Sequence, residues 1–562
     1  MDSLVVIVLV ATALVAFAAV RVLADRLGVA APLLLVLLGV GVSLLPGVPA
    51  VEVDPEWVLA GILPPLLFSS AVAMPAVDFR RAFGAVSGLS VVLVVVSAVV
   101  VGLLLTLLVP GLGLAGGIAL GAILSPTDAA ATAIARRVGV TSRVVTVLEG
   151  EGLLNDATAL VLLRAAIVAS AASVSIGGVV GRFALAVVVA VVLGAAVGWL
   201  GLWVRHRVSD PTVNTLLSFA TPFVASLPAE ELGASGLVAA VAAGLVTGNG
   251  APRLLTARHR LSDTQNWRTV ELVLEGTIFL LMGLELTAVL ADLDRDGGAV
   301  GAGLLVAAVA LVVTLVVRAL YVAPLIAALA ASARRGERLQ PELQEMSAHL
   351  EAGEPVAIRG REVALTTPRR IRQFRDRLRY KIADIDYFRN APLGPREGTV
   401  IVWAGMRGAV TVAAAQTLPE TTPDRSLLVF VAFAVAAGSL LLQGGTLAPL
   451  VRWIRPAPAE VPTAAEREAL QDRLTEADLA VLDRYPDDPD VARFRERLAT
   501  RDADAAAMTG NRVRVRLEMI EAQRAALLDA RDEGRFTSAA LTDALENLDA
   551  EQISLELRTR GT

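Results

Sequence analysis

Long apolar runs dominate the chain from about residue 3 to residue 455, and short polar segments interrupt them. A helix rises about 1.5 Å per residue, so about 20 apolar residues cross the hydrocarbon core of a bilayer. Windows of this kind predict an all-α polytopic membrane protein with about thirteen transmembrane helices. We place these spans near residues 4–24, 30–46, 56–74, 85–109, 113–136, 144–171, 178–204, 211–229, 235–250, 268–291, 299–330, 398–418 and 426–454.

Basic residues alternate between successive loops, and this alternation predicts the orientation of the spans. Loops between the arginine-bearing ones are acidic or neutral, with at most one arginine. Because basic loops stay on the cytoplasmic side, we expect the amino terminus outside the plasma membrane and the carboxyl terminus in the cytoplasm. The basic loops contain Arg21 and Arg26, Arg80 and Arg81, Arg136, Arg137 and Arg143, Arg205 and Arg207, and Arg253, Arg258, Arg260 and Arg268.

Two polar regions interrupt the apolar pattern and define the expected domains. Residues 1–455 form the expected transmembrane domain, which carries a charged insert over residues 331–397 on its cytoplasmic side. The basic run in this insert could contact anionic lipid headgroups, or it could be a solvated loop helix. Residues 456–562 form a polar cytoplasmic tail with helical periodicity and no visible catalytic motif.

Composition narrows the class of protein further. Apolar residues make up 55% of the 562 positions and charged residues 19%, whereas a soluble chain is about a quarter charged. The absence of cysteine excludes disulfides, thiolate metal sites and thiol catalysis, and three histidines are too few for a zinc site of several imidazoles. We expect no enzymatic activity, no cofactor and no nucleic-acid partner.

The sixth predicted span carries ionisable side chains at membrane depth. Such groups cost about 2.5 to 3.5 kcal/mol each on insertion scales, and they are tolerated where they face a wet cavity or a partner. Asp156 lies 13 residues beyond Arg143, about 20 Å deep and near the midplane. Glu149 shares its helix face but lies nearer the cytoplasm, which predicts a cytoplasmic funnel. An ion pathway is the favoured interpretation, and carboxylates that only lock helices together are the alternative.

Glu151 lies on a different face of the same span, together with Asn155. A buried carboxylate there needs a cationic partner or a proton. Arg318 and Arg407 both lie inside predicted spans, and either could form a structural ion pair with Glu151.

Pro126 interrupts the fifth predicted span. Proline removes a backbone hydrogen bond, so the helix must kink or open there. Open backbone at membrane depth can coordinate cations, and Ser125, Thr127 and Asp128 flank the break. A simple proline kink with satisfied hydroxyls is the alternative.

Five motifs together resemble the monovalent cation:proton antiporters of the sodium/proton exchanger type. They follow the order of that family, and the resemblance covers roughly residues 1–455. The motifs are ILPPLLFSSA at 62–71, SPTDAAATA at 125–133, GEGLLNDA at 150–157, FLLMGLEL at 279–286 and WAGMRGAV at 403–410.

The resemblance implies two inverted repeats of discontinuous helices that cross near the midplane, usually in a homodimer. It implies that Asp156 binds the cation or the proton, that Asn155 assists, and that Thr127 and Asp128 belong to an unwound helix. Asp156 and Thr127 are thus the expected ligands of the monovalent cation. Glu151 would pair with an arginine.

Two positions depart from the family pattern. This chain has Ser69 where many members have glutamate or asparagine, and Gly152 where many have serine. The choice of cation therefore stays open.

The leading hypothesis is an electroneutral antiporter that exchanges sodium for a proton across the plasma membrane. One carboxylate would hold either cargo, and alternating access would couple the two fluxes. A potassium/proton antiporter is the main alternative. A cation channel would show a filter loop or a ring of pore charges, and the sequence shows neither. A transport-dead sensor is a third possibility.

Overall fold

The computed structural model describes residues 3–46, 48–171, 176–351, 356–358, 361–363, 368–459, 462–485 and 511–560. Within these ranges nearly all the regular structure is helical, and a short antiparallel hairpin is its only sheet. The prediction of an all-α protein is therefore confirmed. The first helices are α1 (Ser3–Leu27), α2 (Ala31–Ser43), α3 (Leu63–Ala73), α4 (Ala76–Ser87), α5 (Val94–Leu108), α6 (Gly113–Ile123), α7 (Ala130–Arg137), α8 (Ser142–Ala171), α9 (Ile176–Arg205), α10 (Pro211–Glu231) and α11 (Gly236–Leu254).

The second half of the chain continues the helical pattern around the hairpin. Three π-helical segments, Trp57–Ile62, Gly88–Leu93 and Leu440–Gly444, adjoin α3, join α4 to α5 and join α18 to α19. The remaining elements are α12 (Ala257–Leu284), α13 (Leu286–Arg295), α14 (Val300–Glu351), β1 (Val356–Ile358), β2 (Arg361–Val363), α15 (Pro368–Asn390), α16 (Pro395–Trp403), α17 (Ala409–Gln416), α18 (Arg425–Ser439), α19 (Gly445–Ile454), α20 (Ala464–Leu482), α21 (Asn511–Glu533) and α22 (Ser538–Arg560).

Six helical runs among the described residues are long and apolar enough to cross a membrane. Shorter apolar helices accompany them, and the count of thirteen spans stays a prediction. The predicted spans 113–136 and 398–418 are each divided into two half-helices, α6 with α7 and α16 with α17. The six runs are Ala76–Leu108, Ser142–Ala169, Ala184–Arg205, Ala257–Arg295, Val300–Leu350 and Arg425–Ile454.

The chain divides into two compact units. The membrane unit comprises Met1–Gly250, Asp263–Ala330 and Leu393–Ala459, and it contains the large apolar core. The tail unit comprises Ala251–Ser262, Ala331–Pro392 and Glu460–Thr562. Most of the charged insert therefore belongs to the same unit as the carboxyl-terminal tail.

Glycines bring α5 and α6 together inside the membrane unit. A Cβ atom at Gly102 would meet the backbone of Gly117 and Ile118, and one at Gly121 would meet the Ala98 backbone. Small residues let membrane helices approach closely enough for backbone contact. Because α6 also packs against α8, this packing places the end of α6 beside the polar span.

In the tail unit, α20, α21 and α22 pack around a small apolar core that includes Leu474, Ile520 and Leu527. The segment Ala251–Ser262 is bound to these helices by two ion pairs. Arg260 contacts Asp549 on α22, and Arg253 contacts Asp532 on α21.

Candidate cation-binding site

Two interrupted helices meet at the centre of the membrane unit. Residues 124–129 separate α6 from α7, and residues 404–408 separate α16 from α17. The Asp128 N–H donates to the Met406 carbonyl at 2.8 Å, so the two breaks touch backbone to backbone. The opening expected at Pro126 is present, and a second opening lies opposite it.

Arg407 binds the carbonyl groups that the breaks expose. Its Nε donates to the Leu124 carbonyl at 2.9 Å, and its Nη1 donates to the Gly405 carbonyl. Its own N–H donates to the Ser439 hydroxyl at 2.8 Å. Unpaired carbonyls are costly at membrane depth, so this buried guanidinium stabilises the unwound backbone of both breaks.

Asp128 lies where α7 and α17 begin. Its Oδ1 accepts a hydrogen bond from the Ala130 N–H at 2.7 Å. Its Oδ2 lies against Gly408, and a Cβ atom at that glycine would overlap it. The positive ends of two half-helices therefore adjoin one carboxylate, an arrangement that favours its negative charge.

Glu151 forms a bidentate ion pair with Arg318. The two Nη–Oε distances are 2.5 and 2.8 Å, and both side chains are 2% exposed. Arg318 Nε also donates to the Ile401 carbonyl at 3.0 Å. Of the two arginines that the sequence offered, Arg318 makes the pair, while Arg407 binds backbone carbonyls instead.

Thr127 and Asn155 extend the hydrogen bonding of this pair. The Thr127 hydroxyl donates to Glu151 Oε1 at 3.3 Å and accepts from Asn155 Nδ2 at 2.6 Å. Thr127 also lines the central cavity. The Thr127 hydroxyl already has two protein partners. The role of Thr127 as a cation ligand stays a prediction.

Asp156 faces a cavity of about 580 Å³ that Asp128 also lines. It is 6% exposed, and its Oδ1 has no hydrogen-bond partner among the described residues. The neighbouring Asn155 Oδ1 also has none. A buried carboxylate without such a partner needs another way to offset its charge, and a proton or a cation from the cavity can provide it.

Glu149 lines the same cavity, two helical turns before Asp156. Its side chain is 23% exposed and contacts Arg136, which also lines the cavity. The structure thus brings Glu149 and Asp156 to one space and Glu151 to another, as their positions around the helix predict.

Two further acidic residues, Glu271 and Glu275 on α12, line the cavity. Neither was predicted from the sequence. The Ser69 hydroxyl donates to Glu271 Oε1 at 2.5 Å. The two glutamates are four residues apart and therefore share a helix face. Two glutamates four residues apart inside a predicted span are the sequence feature that could have indicated these cavity residues.

The family description "Sodium/hydrogen exchanger, transmembrane" matches residues 10–453. The chain belongs to the sodium/hydrogen exchanger family. An uncharacterized Na+/H+ exchanger of Mycobacterium tuberculosis is 30% identical over 581 residues, which cover 99% of this chain and 97% of that relative. A sodium, potassium, lithium and rubidium/H+ antiporter of Bacillus subtilis is 30% identical over 282 residues, which cover 47% of this chain and 41% of that relative.

The fold of this family member is also that of a solved antiporter structure. The sodium proton antiporter MjNhaP1 from Methanocaldococcus jannaschii matches with a TM-score of 0.54 and 16% identity, over 81% of this chain and 99% of that chain. The chain is therefore a membrane cation/proton antiporter by family, in a class of transporters rather than enzymes.

Proposed function

We propose that this protein exchanges one sodium ion for one proton across the plasma membrane and that both cargoes bind at Asp156. The observation that carries the proposal is the buried carboxylate of Asp156, a residue that lines the cavity and whose Oδ1 has no partner among the described residues. The exchange is electroneutral and proceeds by alternating access.

Asp156 depends on its cargo because neither Arg318 nor Arg407 neutralises it. Arg318 is held by both oxygens of Glu151, and Arg407 donates to the carbonyls of the breaks. A charged side chain is costly in the middle of a membrane. The carrier therefore changes its conformation most readily with a proton or a cation on Asp156, and this restriction couples the two fluxes.

One-for-one exchange requires that one carboxylate carry the cargo, and we assign that role to Asp156. Asp128 is the other aspartate in the cavity, but its Oδ1 already accepts from the Ala130 N–H and its Oδ2 lies against Gly408. Asn155, beside Asp156, is neutral. Each transport step therefore moves either one proton or one monovalent cation.

A potassium/proton antiporter is the second candidate. The printed name of the Bacillus subtilis relative includes potassium, lithium and rubidium beside sodium. Ser69 and Gly152 stand where many members of the family have larger oxygen-bearing side chains. The smaller side chains leave more space, which favours binding of a cation larger than sodium.

Dye-quench assays in proteoliposomes test these alternatives. Wild-type protein should release a preformed proton gradient when sodium is added, and Asp156→Asn should not. Parallel additions of potassium and lithium rank the cations. Sodium flux without proton movement would indicate a channel, and absence of any flux would indicate a sensor. A rate that follows an imposed membrane potential would contradict electroneutral exchange.

We also propose a homodimer with its amino terminus outside and its carboxyl terminus in the cytoplasm. The alternation of arginine-rich loops supports this orientation, and the family resemblance supports the dimer. Reporter fusions at the two termini and crosslinking in native membranes test the two statements separately.

A further inference from the structure

Thr411 lines the same cavity from the opposite interrupted helix. It lies in the first turn of α17, is 0% exposed, and lines the cavity with Asp156. Its Oγ1 has no hydrogen-bond partner among the described residues. Two residues that line this cavity carry a buried side-chain atom without a hydrogen-bond partner among the described residues. These atoms are Asp156 Oδ1 and Thr411 Oγ1.

Four other threonines in the helices of the membrane unit satisfy their hydroxyls within their own helix. A helical threonine can donate to the carbonyl four residues earlier. Such bonds of 2.6 to 3.0 Å join Thr158 to Leu154, Thr221 to Leu217, Thr277 to Val273 and Thr314 to Ala310.

The break before α17 removes this option for Thr411. The residue four positions earlier is Arg407, which precedes the helix because α17 begins at Ala409. Gly408 has an extended backbone, and the Arg407 carbonyl accepts from the Ser439 hydroxyl at 3.3 Å instead. The interrupted helix therefore leaves the Thr411 hydroxyl available to a ligand in the cavity.

We propose that Thr411 Oγ1 is a ligand of the transported cation, together with Asp156 Oδ1. The inference rests on the proposed function and adds a ligand to its site. Monovalent cations in membrane proteins are held by several neutral oxygens that replace their water. A hydroxyl provides such an oxygen without adding charge, so the one-for-one exchange is unaltered.

The proposed ligand distinguishes the two cargoes. A proton needs only the Asp156 carboxylate, whereas a cation needs further oxygens around it. Loss of the Thr411 hydroxyl should therefore weaken cation binding and leave proton binding at Asp156 nearly unchanged. At a fixed sodium concentration protons then compete more effectively, so the acid limb of the activity profile should move to higher pH.

Thr411→Val keeps the shape of the side chain and removes the hydroxyl. In proteoliposomes it should raise the apparent KM for sodium about tenfold, as expected when one bond to a charged ligand is lost. Sodium-dependent thermal stabilisation of the purified protein in detergent should shift its midpoint by a similar factor. Thr411→Ser keeps the hydroxyl and should stay within about twofold of wild type on the same scale.

Thr158→Val is the matched control, because Thr158 is buried in the same unit and its hydroxyl is bonded to its own helix. A wild-type KM and binding midpoint in Thr411→Val would overturn the proposal, and so would an equal rise in Thr158→Val. If the valine variant does not fold, Thr411→Ala is compared with Thr411→Ser in the binding assay, and equal midpoints overturn the proposal. Exchange that survives in Asp156→Asn would instead contradict the proposed function, whatever Thr411 does.

Discussion

The two faces of α8 carry similar chemistry in different surroundings. On one face, both oxygens of Glu151 are held by Arg318. On the other face, five residues later, Asp156 lines the cavity, and its Oδ1 has no hydrogen-bond partner among the described residues. The helix itself does not distinguish these carboxylates. Their roles follow from what the neighbouring helices place opposite them.

The comparison separates stability from transport. A buried pair stabilises a fold only while both partners are present, and loss of one partner leaves an uncompensated charge. A carboxylate that faces a cavity can instead exchange its partner with the solvent. We therefore expect substitutions on the Arg318 face to affect folding and substitutions on the cavity face to affect exchange.

The largest effect on exchange is expected from Asp156→Asn. The amide keeps the size of the side chain but can neither bind a proton reversibly nor offset the charge of a cation. Sodium-dependent proton movement in proteoliposomes should fall to the level of empty vesicles, while expression and thermal stability stay near wild type. Clear residual exchange would transfer the carrier role to Asp128, and Asp128→Asn is the comparison variant.

The second effect is expected on stability, from Glu151→Gln. Removal of one partner of a buried ion pair typically costs about 3 to 5 kcal/mol, because Arg318 would keep its charge in an apolar environment. The variant should show a lower yield and a lower Tm in detergent. Arg318→Gln should resemble it, and the double variant should lose less than the sum of the two. A stable Glu151→Gln protein with altered cation affinity alone would contradict the structural role.

Local sequence patterns could predict which face of α8 each carboxylate occupies, but not which residue lies opposite it. Apolar windows and helix periodicity predicted the all-α class and the separate faces of Glu149 and Glu151, and the membrane depth of Asp156 stays a prediction. They could not choose between Arg318 and Arg407, because the Glu151 partner is 167 residues away in the chain. Such a choice depends on packing between distant helices.

Other parts of the site depended on the structure for the same reason. Glu271 and Glu275 reach the cavity from α12, and no local pattern relates that helix to α8. Thr411 reads as an ordinary helical threonine in the sequence. Only the boundary between the break and α17 shows that its usual carbonyl partner is displaced.

A third buried carboxylate extends the comparison to the tail unit. Asp478 on α20 is 3% exposed, its Oδ2 accepts from Gln523 Nε2 at 2.8 Å, and Arg516 Nη1 lies 3.9 Å away. Asp478 Oδ1 and Gln523 Oε1 have no hydrogen-bond partner among the described residues. Burial raises the pKa of Asp478, Arg516 and Gln523 lower it, and Glu551 raises it, so that the pKa lies at about 7.

This pKa predicts that the tail unit loses stability as pH rises. The folded carboxyl binds its proton more tightly than the unfolded one, whose pKa is near 3.8. Folding is therefore progressively disfavoured from about pH 4 to about pH 7. Hydrogen exchange of α20 and α21 in the full-length protein, corrected for intrinsic rates, should show more protection at pH 5.5 than at pH 8. Asp478→Asn should remove most of this difference, and an unchanged difference would contradict the assignment.

The smallest effect is expected at Glu149, which lines the cavity two helical turns before Asp156 and contacts the more exposed Arg136. A carboxylate at the mouth raises the local cation concentration without binding tightly. Glu149→Gln should raise the apparent KM for sodium about threefold at low ionic strength, less at high ionic strength where salt screens the charge, and leave the maximal rate nearly intact. Arg136→Gln removes the opposite charge, so it should lower KM under the same conditions, and the double variant should return towards wild type. Complete loss of exchange in Glu149→Gln would indicate that Glu149 binds the cargo directly, as proposed for Asp156.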